Sequence, residues 1–157
     1  MSRSVLLTVT VNGARHCREV PTNLTLLDFL REWLVLSGTK VACDQGTCGA
    51  CTVLGDDMPV TSCLVFAFTA DGKAVRTIEG MAAEDGSLDP IQQAFLDAGF
   101  PQCGFCTPGM VMLAEALRKF DPAPSPETID RWMSANICRC SGYQVLRRAF
   151  LAGAGEP

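Results

Sequence analysis

A run of three cysteines between residues 40 and 51 constrains this chain more than any other feature of its sequence. The run reads KVACDQGTCGAC, with the spacing C-x4-C-x2-C, and a fourth cysteine follows a short hairpin-like segment. The four cysteines are Cys43, Cys48, Cys51 and Cys63. This spacing is typical of a plant-type [2Fe–2S] site, whereas zinc sites usually pair two C-x2-C knuckles. Gly46 and Gly49 fit the same chemistry, because a loop that turns its amide N–H groups inward often needs positive φ.

The overall composition predicts a folded protein that does not bind nucleic acid. The chain has 157 residues, of which 48% are hydrophobic and 19% charged, enough for one ordinary domain or two small ones. Its formal net charge is −4 and its isoelectric point is near 4.9. Because the chain is mildly acidic and has no basic runs, a nucleic-acid partner is not expected.

The absence of a signal-peptide core and of a membrane span predicts a cytoplasmic protein, and that location bears on the use of the cysteines. Residues 1–10 are too short and too alternating to form the apolar core of a signal peptide. No apolar run approaches the ~18 residues that a membrane span needs. A reducing compartment keeps thiols free, so the nine cysteines indicate metal ligation rather than disulfides. Cys17 stands apart from the other eight and is assigned no role.

Alternating apolar residues and turn signals predict a small twisted sheet in the first 80 residues. Asn12-Gly13 is a strong signal for a tight turn between two strands. A capping-box pattern at Thr25 predicts a helix that lies across the sheet and ends at about Leu34. Residues 64–68 fit either a strand or a helical turn. The segments predicted as strands are 5–11, 14–20, 51–54, 58–62 and 74–78.

The character of the chain changes near Glu79, where a linker of small and acidic residues leads into helical periodicity. Four helix starts are predicted, at Asp89-Pro90, Thr107-Pro108, Ser125-Pro126 and Ser141. Short helices joined by short loops form a small bundle. The fold class is therefore predicted as α+β, with one domain over residues 1–80 and a four-helix domain over residues 81–157.

The helical half carries a second set of four cysteines beside its predicted helix starts. Cys103 and Cys106 lie in QCGFCTPG, and Cys138 and Cys140 lie in ICRCSGY. Helix N-termini would stabilise a negatively charged, thiolate-bound cluster. Two alternatives stay open at this point. A thioredoxin-like dithiol expects a βαβ setting that is absent here, and a zinc site rarely uses so tight a C-x-C pair.

Taken together, these motifs resemble the small iron–sulfur subunit of the xanthine oxidase family of molybdenum hydroxylases. The resemblance rests on CDQGTCGAC, QCGFCTPG and ICRCSGY, with TIEG at residues 77–80 before the linker, and it extends from the first hairpin to at least Tyr143. Ser141 departs from the family pattern, in which threonine is commoner, but both side chains carry a hydroxyl that can cap a helix.

The resemblance implies an N-terminal β-grasp domain like plant ferredoxins, followed by a helical domain, each with one [2Fe–2S] cluster. It assigns the first cluster, facing the FAD of a medium subunit, to Cys43, Cys48, Cys51 and Cys63. It assigns the second, facing the molybdenum cofactor of a large subunit, to Cys103, Cys106, Cys138 and Cys140. Gln102 and Cys140 match positions that contact the molybdopterin in similar proteins. Gln102 has an alternative interpretation as a polar residue that caps its loop.

The function implied by the resemblance is electron transfer, with no catalytic residue on this chain. In such complexes the large subunit hydroxylates a carbon with oxygen from water, and single electrons pass to the FAD. The chain resembles the separate small subunit of bacterial heterotrimers, such as carbon monoxide dehydrogenase and 4-hydroxybenzoyl-CoA reductase, which would allow a dimer of heterotrimers. Two other hypotheses are a free-standing two-cluster ferredoxin and a zinc-stabilised interaction module.

Overall fold

The computed structural model describes residues 3–140 and 143–154, and its first part is a mixed five-stranded sheet. The strands are β1 (Ser4–Val11), β2 (Ala14–Pro21), β3 (Thr52–Gly55), β4 (Met58–Thr61) and β5 (Ala74–Arg76). Their order is β2-β1-β5-β3-β4, with β1 parallel to β5 and the other neighbours antiparallel. The sheet of the predicted α+β fold is confirmed.

The β1–β2 hairpin forms for the reason that the sequence predicts. Asn12 and Gly13 adopt positive φ, 49° and 82°, which two-residue hairpin turns require. Leu7, Val9 and Val11 are buried on one face of β1 and belong to a core cluster of the sheet. Their alternation fixes the register, because a slip of one residue would turn all three to solvent.

The helix that packs on the sheet begins where it was predicted, but it is not a regular α-helix. Thr25 Oγ1 accepts from the Asp28 amide over 3.0 Å and caps the first turn. Only α1 (Leu26–Asp28) is α-helical, and Phe29–Trp33 continues as a π-helix. The buried face, formed by Leu26, Leu27, Phe29 and Leu30, is broader than an α-helical stripe. Packing of this face overrides the α-helical period.

Two short segments of the sheet half differ from a simple strand pattern. Residues 64–68, whose sequence fits either a strand or a helical turn, do not form a strand. They extend from the end of one 3₁₀ turn, Ser62–Leu64, into a second one, Ala67–Ala70. The prediction of a strand through residue 78 was too long, because β5 ends at Arg76 and a 3₁₀ turn, Ile78–Gly80, follows.

After residue 81 the regular secondary structure of the described chain is helical, with loops between the helices. The helices are α2 (Pro90–Asp97), α3 (Thr107–Phe120), α4 (Pro126–Met133) and α5 (Gln144–Ala154). Asp89 and Gln92 form a capping box at α2, and Ser125 caps α4. The predicted starts of α2, α3 and α4 are confirmed, whereas Ser141, the predicted cap of the last helix, lies outside the described residues. Within the described chain, no helix combines the length and apolarity that a bilayer crossing demands.

A buried ionic cluster joins the sheet half (residues 3–80) to the helical half (residues 81–140 and 143–154). Glu115 of α3 is only 1% exposed. Its carboxylate pairs with Arg76 of β5 at 3.0 Å and with Arg118 at 2.5 Å. A second, exposed pair joins Lys119 of α3 to Asp57 of the β3–β4 turn. The halves therefore pack directly on each other, and the domain boundary at residue 80 stays a prediction.

The buried pair is expected to contribute far more to stability than the exposed pair. We expect Glu115→Gln to lower the free energy of unfolding by about 1–3 kcal/mol, because it leaves Arg76 without its counter-charge and Arg118 with only Asp89, at 3.4 Å. The matched variant Asp57→Asn removes the exposed pair with Lys119 and is expected to lower the free energy of unfolding by less than about 1 kcal/mol. Denaturant unfolding of the iron-loaded chain measures both values. Equal losses would contradict the dominant role of Glu115.

Candidate metal centres

Three cysteines of the first quartet lie on an irregular loop between the helix of the sheet half and β3, and the fourth, Cys63, lies in the 3₁₀ turn Ser62–Leu64 after β4. The loop reverses direction at three positive-φ positions, Asp44 (53°), Gly46 (77°) and Gly49 (70°). The expectation of positive φ at both glycines is confirmed. Asp44 was not foreseen, although aspartate is one of the few other residues that adopt this conformation readily.

Backbone amides of this loop point at a cysteine sulfur. The amides of Thr47 and Cys48 each donate to Cys43 Sγ over 3.4 Å. Hydrogen bonds from Gln45 N–H above all, and then from Cys48, lower the pKa of the Cys43 thiol to about 6. Thiolate is the form that binds metal, so the loop stabilises the ligating form of this side chain.

The four thiols of the first quartet are arranged as two pairs. Cys43 contacts Cys48, and Cys63 contacts Cys51. Cys51 and Cys63 are buried at 4% and 7% exposure, and burial is the main cause that raises the pKa of Cys63 to about 11. The charge of Cys43 adds to that rise, so the two pairs lie near each other. A [2Fe–2S] cluster needs four thiolate ligands, two for each iron, and the two pairs supply that number.

Leu64 covers this loop, and the sequence did not single it out. A side chain at Gly46 would overlap the end of the Leu64 side chain. Leu64 nevertheless keeps 64% of its surface exposed. Its apolar body therefore covers the loop from the solvent side. The positive φ of residue 46 favours glycine there, whereas the exposed end of Leu64 could move away from an added Cβ.

The second quartet also forms two pairs, at the start of α3. Cys103 Sγ and Cys140 Sγ lie 3.5 Å apart, and Cys106 contacts Cys138. The Phe105 amide is the main cause that lowers the pKa of the Cys103 thiol. Burial is the main cause that raises the pKa of Cys106 to about 12. Each pair joins one cysteine of the QCGFC segment to one of the CRC segment.

Tyr143 holds the backbone of the second quartet, a role that its sequence pattern did not reveal. Its hydroxyl accepts from the Cys138 amide and donates to the Asn136 carbonyl, both over 3.0 Å. Tyr143 itself has a φ of 68°. Cys140 is exposed, and so is Gln102, which directly precedes the quartet. Both predicted pterin contacts are thus accessible to a partner.

Cys17 lies outside both quartets, as predicted. It is an exposed residue of β2 whose sulfur accepts from Thr8 Oγ1 over 3.6 Å.

Among the described residues, no three Cys, His, Asp or Glu side chains converge as a site for one metal ion. The contacts described above place the eight remaining cysteines at two sites, as four pairs.

Comparison with known proteins places both halves in iron–sulfur families. Residues 9–86 match the 2Fe-2S iron-sulfur cluster binding domain, and residues 77–151 match the [2Fe-2S] binding domain. The nicotine 6-hydroxylase small subunit of Paenarthrobacter nicotinovorans is 43% identical over 155 residues, covering 99% of this chain and 93% of that protein. The chain belongs to the small iron–sulfur subunits of the xanthine oxidase family.

Other relatives of this small iron–sulfur subunit agree with the assignment. The nicotinate dehydrogenase small FeS subunit of Eubacterium barkeri is 45% identical, covering 92% of each chain. Quinoline 2-oxidoreductase from Pseudomonas putida superposes with a TM-score of 0.91 at 39% identity, covering 98% of this chain and 95% of that one. The aldehyde oxidoreductase of Desulfovibrio desulfuricans matches with a TM-score of 0.90 and 41% identity, but this chain covers only 17% of it.

Family membership defines the class of activity. The chain is an electron-transfer subunit of a multi-subunit oxidoreductase, with two [2Fe–2S]-binding domains, and it works with larger partner subunits. The predicted family, the α+β fold class and the two-cluster content are confirmed.

Proposed function

We propose that this chain relays single electrons between the molybdenum cofactor of a large subunit and the FAD of a medium subunit. The observation that carries this proposal is the grouping of eight cysteines into two quartets, each made of two thiol pairs. A [2Fe–2S] cluster in each quartet would supply a carrier that accepts and gives up one electron at a time. The complex would lie in the cytoplasm, a reducing compartment in which cysteines stay available as cluster ligands.

The residues present fit the two clusters. Cys43, Cys48, Cys51 and Cys63 would hold the first cluster, and Cys103, Cys106, Cys138 and Cys140 the second. Thiolates are the donors that such clusters use, and amides directed at a sulfur tune the potential of the bound cluster. Amides at Cys43 and Cys103 are placed to do this. A zinc module would use the same thiols, and metal analysis separates the two.

The exposure of the second quartet supports its orientation toward the large subunit. Cys103 and Cys140 are exposed, beside the exposed Gln102. An exposed amide and an exposed ligand loop can donate hydrogen bonds to a molybdopterin held by the neighbouring subunit. The first quartet would then face the FAD subunit. Pairing of the heterotrimer into a dimer is part of the same proposal.

Metal and flavin analysis of the complex tests this function. The complex is purified from its native host through a tag on this chain. We expect about four irons for each molybdenum and each FAD, because two clusters hold two irons each, and no zinc. Iron without molybdenum on a chain that runs alone would favour a free-standing ferredoxin. Zinc in place of iron would refute the electron-transfer function.

A further inference from the structure

The loop of the first quartet and the segment that leads into the second meet at one buried residue, Asn136. Asn136 follows α4, precedes Cys138 by two positions and is 1% exposed. Its Nδ2 donates to the carbonyl of Gly49 over 3.0 Å. The next amide, that of Ile137, donates to the carbonyl of Cys48 over 2.9 Å. Two adjacent hydrogen bonds thus join Cys48 and Gly49, in the loop of the first quartet, to the two residues that directly precede Cys138 of the second quartet.

The contact of Asn136 is not needed to satisfy the Gly49 carbonyl. That oxygen already accepts from the Thr52 amide over 3.0 Å and from Thr52 Oγ1 over 2.7 Å. Asn136 also leaves its own Oδ1 buried and without a hydrogen-bond partner among residues 3–140 and 143–154. A buried unpaired oxygen lowers stability, so an apolar side chain of similar size would serve packing at least as well. An amide at this position therefore indicates a role other than packing.

Helix α3 passes over the same point and leaves no free space there. A Cβ added at Gly109 would lie 2.5 Å from the Gly49 oxygen and 2.8 Å from Asn136 Nδ2. The carbonyl of Asn136 is held by Tyr143 Oη, which also accepts from the Cys138 amide. Asn136 is thus tied to the second quartet through its backbone and to the first through its side chain.

We propose that Asn136 is a positioning residue for electron exchange between the two clusters, an inference that rests on the proposed function. In this exchange one electron leaves the reduced cluster and enters the oxidised cluster, and no bond forms or breaks. Asn136 fixes the Gly49 peptide against the helical half and so maintains the hydrogen bond between Ile137 and Cys48. Loss of its amide lets the two cluster loops separate, although each loop keeps its own thiols.

The test compares two variants that each remove one hydrogen bond to the Gly49 oxygen. Asn136→Leu removes the donor that crosses between the halves and also removes the unpaired Oδ1. Thr52→Val removes a donor within the sheet half, and the other donors to that oxygen remain in both variants. The proteins are purified as the complex with their partner subunits and reduced with dithionite. Low-temperature electron paramagnetic resonance then records both cluster signals and the magnetic splitting that each reduced cluster causes in the other.

We expect Asn136→Leu to keep four irons and both signals but to lose the splitting, whereas Thr52→Val keeps the splitting of the wild type. Amide hydrogen exchange of the peptide that contains Ile137 is expected to become about tenfold faster in Asn136→Leu only, since a restraining hydrogen bond is lost. This second readout follows the backbone itself and does not depend on turnover of any substrate.

Other outcomes overturn the inference. If Asn136→Leu keeps the magnetic splitting and the amide exchange rate of the wild type, the hydrogen bond from Asn136 to Gly49 has no part in positioning the clusters. The same conclusion would follow if Asn136→Leu and Thr52→Val lose the splitting equally. Asn136→Ala, which is smaller, uncharged and cannot donate, covers the case in which the leucine variant fails to fold. A cluster lost in both Asn136 variants would show a purely structural role. A wild-type complex without two cluster signals would instead refute the proposed function.

Discussion

Replacing Cys48 with serine is expected to remove one of two [2Fe–2S] signals from the reduced complex and to leave the other. Cys48 contacts Cys43 and, in the proposed ligand set, shares an iron with it. Serine is a poor replacement for a thiolate ligand of iron. The iron content is expected to fall from about four to about two per chain, because each cluster holds two irons. Iron analysis and electron paramagnetic resonance measure both effects.

The survival of the second signal follows from the way Cys48 contacts the helical half. That contact is made by its backbone carbonyl, which accepts from the Ile137 amide, and serine keeps this carbonyl. The mirror variant Cys138→Ser is expected to remove the other signal. Cys17→Ser, outside both quartets on β2, is expected to keep both. Two surviving signals in Cys48→Ser would show that the ligand assignment is wrong.

The second large effect is expected from Gly49→Ala, which should lower the free energy of unfolding by about 2–5 kcal/mol. Gly49 has a φ of 70°, where any side chain is strained. Its added Cβ would overlap Asn136 Oδ1 and lie 2.6 Å from the carbonyl oxygen of Ala135, a backbone atom that cannot move aside alone. Denaturant unfolding of the iron-loaded chain gives the value.

Gly72→Ala is the matched control for this effect. Gly72 has nearly the same φ, 72°, but a Cβ there would have no atom within 4 Å. Gly72→Ala should therefore lower the free energy of unfolding only through the backbone strain of positive φ, by about 1–2 kcal/mol. The difference between the two variants isolates the contact with the helical half. If both variants lose the same amount, that contact is unimportant.

Local signals in the sequence predicted most of the fold, whereas the ligand sets of the two clusters stay a prediction. The hairpin at Asn12-Gly13 and the caps at Asp89 and Ser125 depend on neighbours within a few positions, so their patterns are readable directly. The spacing around Cys43 predicted a loop with inward amides for the same reason. The π-helical turn from Phe29 was missed because a broad apolar face does not distinguish the two helical periods.

Long-range contacts could not be predicted from the sequence. The Asn136–Gly49 bond spans 87 positions, and the Arg76–Glu115 pair spans 39, with no local pattern at either end. Glutamate in an amphipathic helix is ordinarily an exposed residue, and only the tertiary structure reveals that Glu115 is buried. The assignment of thiols to pairs, such as Cys103 with Cys140, also depends on how distant segments meet.

One side chain of β3 limits how this protein can be re-engineered. Leu54 lies on a strand of the sheet half, yet it is 1% exposed and belongs to the apolar core of the helical half. A chimera that substitutes another ferredoxin for residues 3–80 would have to supply both this leucine and a counterpart of Arg76 for Glu115. Transplanting a cluster of different potential is therefore a problem of interface design rather than of simple module exchange.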